Sequence, residues 1–370
     1  MNSISKVDGS FGALLAMLTF GSLAIVGYAD FVVKTVSLGY LYIVPLVLGA
    51  FVFRLPTAFG LVLACGALAD WLGPFEHTGF EHTARNLLTL VGFAVVVLVV
   101  DRLSSQRMEL TEIVRRQRDE LEREIELAAA VQQRLLPAAP PAIPGFDIAG
   151  QMIPARIVGG DYFDYIGLPS GGLGLAIADV AGKGVAASLL MSSVQMALRV
   201  DSATTPHPNQ LVQNLNQVLN EVTDTGRYVT LFYGKLDVAQ SELEFTNAGH
   251  LPPLLLRRRS PEPTFLEVGG TVVGLFEQSQ YDAARVRLEK GDVLVLYTDG
   301  ITETTDSTGE QFSVDRLTAL VRDHASEVAQ ELVKTILEAV SRFRGDKDLE
   351  DDLTLVVIKI NGGEPHSEPN

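Results

Sequence analysis

Residues 288–303 read LEKGDVLVLYTDGITE, an apolar run that follows a turn and ends at the carboxylate of Asp299. Three other motifs have the same pattern, namely GGDYFD at 159–164, ADVAGKG at 178–184 and DDLTLVV at 351–357. Each places an aspartate at the end of an apolar run, so several carboxylates are expected to project from strand ends into one cleft. Crowded carboxylates need cations to offset their repulsion, and oxygen ligands suit Mg²⁺ or Mn²⁺. The motifs therefore predict metal-assisted hydrolysis.

The region around these motifs predicts an α+β fold, in which helices flank largely antiparallel sheets. Alternating apolar runs bounded by turn residues predict strands at 146–154, 162–168, 173–179, 228–237, 242–247, 253–257, 284–288, 292–298 and 353–360. Apolar residues that recur at three and four positions predict helices at 185–201, 208–223, 314–325 and 328–343.

Seven motifs in order make a resemblance specific. VQQRLLP leads into GGDYFD, and ADVAGKG, TLFYGKLD, TNAGHLPPLLL, LEKGDVLVLYTDGITE and DDLTLVV follow. From about residue 130 to 360 the chain resembles the metal-dependent protein phosphatases, in particular the bacterial SpoIIE and RsbU-like branch. The resemblance implies a β-sandwich covered by helices, with two Mn²⁺ or Mg²⁺ ions at one end. It also implies hydrolysis of phosphoserine and phosphothreonine, and a phosphorylated STAS-type anti-sigma-factor antagonist as the substrate.

The resemblance also assigns the site residues. Asp179 would bridge both metals, the Val180 carbonyl would bind one of them, and Asp299 and Asp351 would complete the site. Asp161 would bind a metal or orient metal-bound water. Asp352 is a further candidate ligand, but adjacent strand residues point to opposite faces, so we expect only one of the pair in the cleft and prefer Asp351.

Other residues have a structural interpretation beside a functional one. His250 in TNAGH could act as a general acid, but its motif is typical of a tight turn. Lys183 could meet phosphate, although GKG lacks the other residues of a P-loop. Gly182 and Gly184 are expected to give the backbone freedom for a sharp turn. Two other functions remain open: a hydrolase of small phosphoesters on the same fold, and a receptor that only binds a phosphoprotein.

Composition limits the partners. The formal net charge is −16, and no basic face is evident, so nucleic acid is not expected to bind. The single cysteine, Cys65, lies in an apolar run and is interpreted as a core residue.

Residues 11–100 are almost wholly apolar and predict a membrane module of about four spans, at 11–33, 36–53, 57–73 and 84–100. Arginines follow the fourth stretch, which predicts cytoplasmic termini and a catalytic domain in the cytoplasm, at the inner membrane. Ionisable residues near the predicted outer side are candidates for a sensing site, with interfacial polar positions as the alternative: Asp30, Asp70, His77, His82 and Arg85.

Between the two halves, residues 101–136 contain no Gly or Pro and predict a helical connector. A seven-residue recurrence of Val114, Leu121, Ala128 and Leu135 predicts a parallel dimeric coil. The companion row of this seam contains Leu110 and Val131, but Gln117 and Glu124 interrupt it. A solvated single helix is the alternative. A Pro-rich linker is expected at 137–145, the phosphatase domain at 146–362, and tails at 1–10 (cytoplasmic) and 363–370 (disordered).

Overall fold

The computed structural model describes residues 10–362 apart from 34, 37, 74–79, 223–225 and 261. The chain divides into two compact units, which meet in sequence between Glu120 and Leu121. The terminal tails, His77 and the side chain of His82 lie outside the described residues, so the expectations for them stay predictions.

The first unit is helical. Its elements are α1 (Ser10–Val32), a 3-10 helix (Gly39–Tyr42), α2 (Ile43–Val52), α3 (Leu55–Leu72) and the first part of α4 (Phe80–Leu135). A cluster that includes Tyr42, Leu46, Cys65 and Phe93 forms its core. Cys65 is a buried free thiol, which agrees with its interpretation as a core residue.

Three helices are long and apolar enough to cross a membrane: α1, α3 and the apolar part of α4. The remaining predicted span, 36–53, instead contains a shorter apolar helical stretch, Gly39–Val52. In that stretch α2 has 10 residues, because a 3-10 turn precedes it and Phe53 is extended. A span needs about 20 apolar residues, so a crossing by this stretch stays a prediction.

α4 joins the fourth apolar stretch and the predicted connector in one helix of 56 residues. It ends at Leu135, two residues before Pro137, as expected from the restricted backbone that precedes and includes proline. Residues 121–135 belong to the second unit, in which Ala129 and Gln132 are buried.

The second unit contains two β-sheets. The first has the strand order β1-β11-β10-β6-β7, with β1 Phe146–Ile153, β6 Leu254–Leu256, β7 Pro263–Phe265, β10 Val293–Tyr297 and β11 Leu353–Ile360. The second has the order β2-β3-β4-β5-β8, with β2 Tyr162–Gly167, β3 Leu173–Val180, β4 Val229–Asp237, β5 Glu242–Ala248 and β8 Gly269–Gly270. Strand β9, Ala284–Arg287, pairs with β5. Among the described strands, only the short β5–β8 pairing is parallel.

Helices cover the outer faces of both sheets. α5 (Val185–Asp201) and α6 (Pro208–Val222) pack on the second sheet, and α8 (Ser313–Asp323) and α9 (Ala329–Arg344) pack on the first. The expected α+β sandwich is therefore confirmed.

Strand β11 is apolar on both of its faces, because both faces are covered. Leu355 and Val357 contact the helices, whereas Val356 and Ile358 pack between the sheets. Successive strand residues point to opposite faces, and both faces of this strand are covered. Each of these side chains contributes about 1.5–3 kcal/mol by its removal from water.

Candidate metal centre

The acidic motifs meet at one end of the sandwich. Asp179 lies at the end of β3, Asp299 opens the short helix α7 (Asp299–Glu303) after β10, and Asp351 lies just before β11. Tyr297 pairs with Leu355 in the first sheet, so the end of β10 lies beside the start of β11. Antiparallel pairing thus places the two motifs together although Asp351 lies 52 positions after Asp299 in the sequence.

Asp161 is buried where the two sheets meet. Its Oδ2 accepts hydrogen bonds from the hydroxyls of Thr298 at 2.7 Å and Thr354 at 2.5 Å. Burial, followed by the charge of Asp179, raises the pKa of Asp161 well above its usual range, and the two hydroxyls act in the opposite direction. The β10 and β11 motifs therefore hold this carboxylate in place.

Asp179 and Asp299 are partly buried, and other carboxylates lie near both. Burial, then the charges of Asp299, Asp351 and Asp352, raises the pKa of Asp179 from 3.8 to about 7. Burial, then the charge of Asp351, also raises the pKa of Asp299. Both shifts arise from desolvation and from like charges that share one cleft, which is the condition that a bound cation relieves.

The neighbours Asp351 and Asp352 have different surroundings. Asp352 is buried: its Oδ1 accepts the Ala155 N–H at 2.8 Å and its Oδ2 accepts the Gly160 N–H at 2.7 Å. Asp351 is more exposed, and its Oδ2 lies 2.8 Å from Lys183 Nζ. Asp352 thus fixes the loop before Asp161, whereas Asp351 pairs with the ammonium group of Lys183.

The backbone beside Gly160 belongs to the same cleft. A Cβ built on Gly160 would lie 3.2 Å from the Val180 carbonyl oxygen and 3.7 Å from Asp179 Oδ1. Both oxygens therefore border the space that the missing side chain leaves. Gly182 and Gly184 have φ angles of 107° and 82°, so the loop after Val180 uses the left-handed region, as expected from the sequence.

Two cationic side chains line this cleft with Asp179 and Asp351, namely Arg156 and Lys183. The hydrogen bond to Asp351 is the main reason that the pKa of Lys183 is raised. Lys183 also donates to the Glu350 carbonyl at 2.6 Å. Lys183 therefore lies at the carboxylate cluster, where a contact with phosphate stays a prediction.

Divalent cations fit this site by donor chemistry. The groups that border it are carboxylate and carbonyl oxygens, which Mg²⁺ and Mn²⁺ prefer. Among the described residues, however, no three His, Cys, Asp or Glu side chains are gathered closely enough to ligate one ion as they stand. The carboxylates nevertheless border adjoining parts of one cleft, since Asp351 lines one part with Asp179 and the other with Asp299.

His250 is a buried bridge between the sheets. Its Nε2 lies 3.2 Å from the Tyr297 carbonyl oxygen and its Nδ1 lies 2.9 Å from Thr230 Oγ1. Burial lowers the pKa of His250 from 6.5 to about 4. The neutral ring can donate from Nε2 and accept at Nδ1, so both nitrogens have structural partners. Thr230 on β4 pairs with Asp179 on β3, and Tyr297 ends β10 two residues before Asp299, so the bridge joins the strand beside Asp179 to the strand that leads to Asp299.

Gln132, near the end of α4, was not expected at the site. Its Nε2 donates to the Gly159 carbonyl at 2.7 Å, and its Oε1 accepts the Gly159 N–H at 3.1 Å. This side chain is buried and therefore links the end of α4 to the loop that carries Asp161. The position of VQQRLLP in the family pattern was the only sequence signal for it.

Asp164, the second aspartate of GGDYFD, is bound elsewhere. Its two oxygens accept hydrogen bonds from Arg199 on α5 at 2.7 and 2.9 Å. Its side chain is fully buried in this pair, which ties α5 to β2.

The comparison with known families agrees with this geometry. Residues 169–361 match the family model described as Stage II sporulation protein E (SpoIIE). The chain belongs to the SpoIIE family. That family consists of metal-dependent serine/threonine protein phosphatases, so the class of enzyme expected from the motifs is confirmed.

Individual relatives of this SpoIIE-family chain extend the comparison. It is 35% identical over 240 residues to the phosphoserine phosphatase RsbU of Bacillus subtilis, covering 65% of this chain and 71% of the relative. It is 24% identical over 242 residues to the phosphoserine phosphatase RsbP of the same organism, covering 64% of this chain and 58% of the relative. The chain thus spans only part of each of these relatives.

A solved structure shares the fold. The RsbU and RsbW domains of a Mycobacterium tuberculosis protein superpose with a TM-score of 0.54 at 28% identity, covering 61% of this chain and 64% of that one. The SiaA-PP2C domain of Pseudomonas aeruginosa gives a TM-score of 0.57 at 19% identity, covering 66% and 98%. The second likeness concerns the fold alone.

Proposed function

We propose that this chain is a membrane-anchored phosphoprotein phosphatase that removes phosphate from phosphoserine or phosphothreonine. The observation that carries the proposal is the cleft lined by Asp179, Asp299 and Asp351, in which the charges of Asp299 and Asp351 raise the pKa of Asp179 and the charge of Asp351 raises the pKa of Asp299. Such a group has no evident structural purpose, and it lies where the family motifs converge. Family membership adds the reaction class.

In this proposal two Mg²⁺ or Mn²⁺ ions are held by Asp179, the Val180 carbonyl, Asp299 and Asp351. Bound divalent cations supply Lewis acidity and activate water for in-line attack on phosphorus. Asp161, fixed by Thr298 and Thr354, would orient the water through its carboxylate. Asp352 would hold the Gly160 loop rather than an ion, because backbone N–H groups already occupy its oxygens.

The cleft also offers positive charge for the substrate. Arg156 and Lys183 border it, and a guanidinium can bind two phosphate oxygens at once. We therefore assign Arg156 to the phosphoryl group in the ground state. Lys183 would leave Asp351 when a metal takes its place, because both compete for the same oxygen.

The partner and the cellular context follow from the relatives and from the apolar helices. RsbU and RsbP are named phosphoserine phosphatases, and a phosphorylated STAS-type anti-sigma-factor antagonist is the substrate that we propose by that likeness. α1, α3 and the start of α4 would anchor the chain in the cytoplasmic membrane, with the phosphatase domain in the cytoplasm.

The connector would pair two copies of the chain. Val114, Leu121, Leu110 and Val131 belong to its predicted seam, and each is more than half exposed. Exposed apolar side chains at this spacing are typical of a coiled-coil face. A homodimer through this part of α4 would cover them.

Substrate assays test the reaction class. The fragment 121–370 should release phosphate from a phosphoserine STAS-domain protein in the presence of Mn²⁺, and it should act poorly on nucleotides and p-nitrophenyl phosphate. A preference for the small esters would favour the rival hydrolase. Tight binding of the phosphoprotein without turnover would favour the non-enzymatic receptor.

A further inference from the structure

A cavity of about 620 Å³ lies in the first unit, between the 3-10 helix, α3 and α4. Its lining changes character along the helices. Asp70, Arg85 and Asn86 line one end, and Leu63, Phe93 and Val96 line the other. Neither the reaction nor the metal centre makes use of this cavity.

The polar end carries both signs of charge. Asn86 Nδ2 donates to Asp70 Oδ1 at 2.7 Å, and Arg85 Nη2 lies 4.0 Å from the same oxygen. The side chain of Arg85 is 38% exposed and that of Asp70 is 34% exposed. A carboxylate and a guanidinium therefore border the cavity side by side, and both side chains are partly exposed.

The cavity lining changes from polar to apolar in the same order as a membrane leaflet does from its headgroups to its acyl chains. Leu63 lies seven residues before Asp70 on α3, and Phe93 lies seven residues after Asn86 on α4. At 1.5 Å per residue, the apolar end lies about 10 Å from the polar end along each helix. Asp70 is near the end of α3 and Arg85 is near the start of α4, so both belong at the same membrane interface.

We propose that this cavity binds a phospholipid whose headgroup combines a phosphate with a primary ammonium, as in phosphatidylethanolamine. Arg85 would bind the phosphate oxygens, and Asp70 would accept hydrogen bonds from the ammonium. One acyl chain would lie along the apolar wall. The proposal rests on the membrane insertion proposed above and is independent of the phosphatase reaction.

Charge complementarity selects this headgroup over its common relatives. A trimethylammonium headgroup has the same charges but no N–H to donate to Asp70. A glycerol headgroup has the phosphate but no cation. Hydrogen bonds between ionised partners are stronger than those between neutral groups. A headgroup that cannot form one of them should therefore bind measurably less tightly.

The test is lipid retention by the full chain. The chain is reconstituted in vesicles of phosphatidylethanolamine, phosphatidylcholine and phosphatidylglycerol in equal amounts, extracted into mild detergent, and examined by native mass spectrometry. We expect phosphatidylethanolamine to be retained about tenfold more than either of the other lipids, a ratio typical of one charge-assisted hydrogen bond. Asp70→Asn should reduce the preference over phosphatidylcholine, and Arg85→Gln should reduce retention of every phospholipid.

Two glycines provide a matched pair of variants. Gly92 lines the cavity and Gly60 does not, and a Cβ at either position would meet no atom within 4 Å. Gly92→Leu should fill the apolar part of the cavity and abolish retention. Gly60→Leu adds the same side chain elsewhere on the membrane module and should retain the lipid as the wild type does.

Equal retention of the three lipids by the wild type would overturn the proposal. So would unchanged phosphatidylethanolamine binding in Gly92→Leu, or a different amphiphile held in its place. A chain that fails to co-sediment with vesicles would refute membrane insertion as well. Phosphatase activity, measured in the same preparations, separates these outcomes from a failure of the proposed reaction.

Discussion

At the scale of single residues, the ionised carboxylate of Asp179 destabilises the folded protein as long as no cation is bound. Its folded-state pKa of about 7 lies above the unfolded value of 3.8, so its contribution to stability is present below pH 3.8 and is lost as the pH rises to 7. Asp179→Asn should therefore raise the melting temperature of metal-free fragment 121–370, and more so at pH 8 than at pH 5. The gain should be at most about 4 kcal/mol, since the side chain is only partly buried.

Calorimetry of the same variant checks the metal site. Mn²⁺ should stabilise the wild type and have much less effect on Asp179→Asn, because a ligand is lost. Asp323→Asn, an exposed position on α8, is the control and should behave as the wild type does. An Asp179→Asn variant that is destabilised without metal, or that responds normally to Mn²⁺, would refute the assignment.

His250 should show the opposite dependence on pH. Its folded-state pKa of about 4 lies below 6.5, so the unfolded chain binds more protons between these values. Wild-type stability relative to His250→Gln should be constant above pH 6.5 and should fall by roughly 3 kcal/mol as the pH drops to 4. Urea unfolding of both proteins at several pH values measures this. A pH-independent difference would mean that the ring is not held neutral.

The convergence of the carboxylates could be predicted from the sequence because strand-end aspartates and glycine turns are local signals. Gln132, His250 and Asp352 could not be given their roles in this way. Their partners are the Gly159 backbone, the Thr230 hydroxyl and the Gly160 N–H, which approach only when distant segments fold together. The structural interpretation of His250 was sound, but nothing in TNAGH indicated that it joins the two sheets.

At the scale of elements, the end of α4 should control the loop that carries Asp161. Gln132→Leu would leave the Gly159 N–H and carbonyl without their buried partners, which costs about 1–3 kcal/mol. We expect lower stability and weaker Mn²⁺ binding by titration calorimetry. Gln133→Leu is the matched control, because its side chain is exposed on the same helical turn. Equal effects of the two substitutions would argue against a specific link.

The connector makes a separate prediction about assembly. Leu121→Glu would place a charge in the predicted seam and should weaken self-association of a fragment that begins at residue 102. Leu127→Glu, which changes an exposed leucine outside the recurrence of Val114 and Leu121, should have a smaller effect. Sedimentation at tens of micromolar, about the range where a short coil can still pair, decides between them. A monomeric wild type would leave the solvated single helix as the better description.

The predicted secondary structure agrees with the observed elements where the periodic pattern extends over many residues. The predicted helices at 185–201 and 328–343 correspond to α5 and α9 within one residue at each end. The strands β7 and β8 were not predicted, since they have three and two residues and take their pairing from neighbours. The helix α7 was also missed, because five residues after a strand give no periodic signal.

At the scale of the whole molecule, the distribution of arginines predicts the orientation in the membrane. Reporter fusions after residue 118 should be cytoplasmic and fusions after residue 76 should lie outside. A fusion at the N-terminus then tests whether the Gly39–Val52 stretch crosses: a cytoplasmic N-terminus requires four spans, and an external one requires three. If residues 76 and 118 lay on the same side, the apolar start of α4 would not be a span.

The central claim is that the carboxylate cleft makes this chain a metal-dependent phosphoprotein phosphatase. The most direct measurement is phosphate release from a phosphoserine protein by fragment 121–370 as Mn²⁺ is titrated, compared among the wild type, Asp179→Asn and Asp323→Asn. The account predicts metal-dependent turnover in the wild type and Asp323→Asn, and a loss of at least about a hundredfold in Asp179→Asn, the size of effect expected when a catalytic metal is lost. Turnover that persists in chelator, or in Asp179→Asn at saturating Mn²⁺, would contradict it.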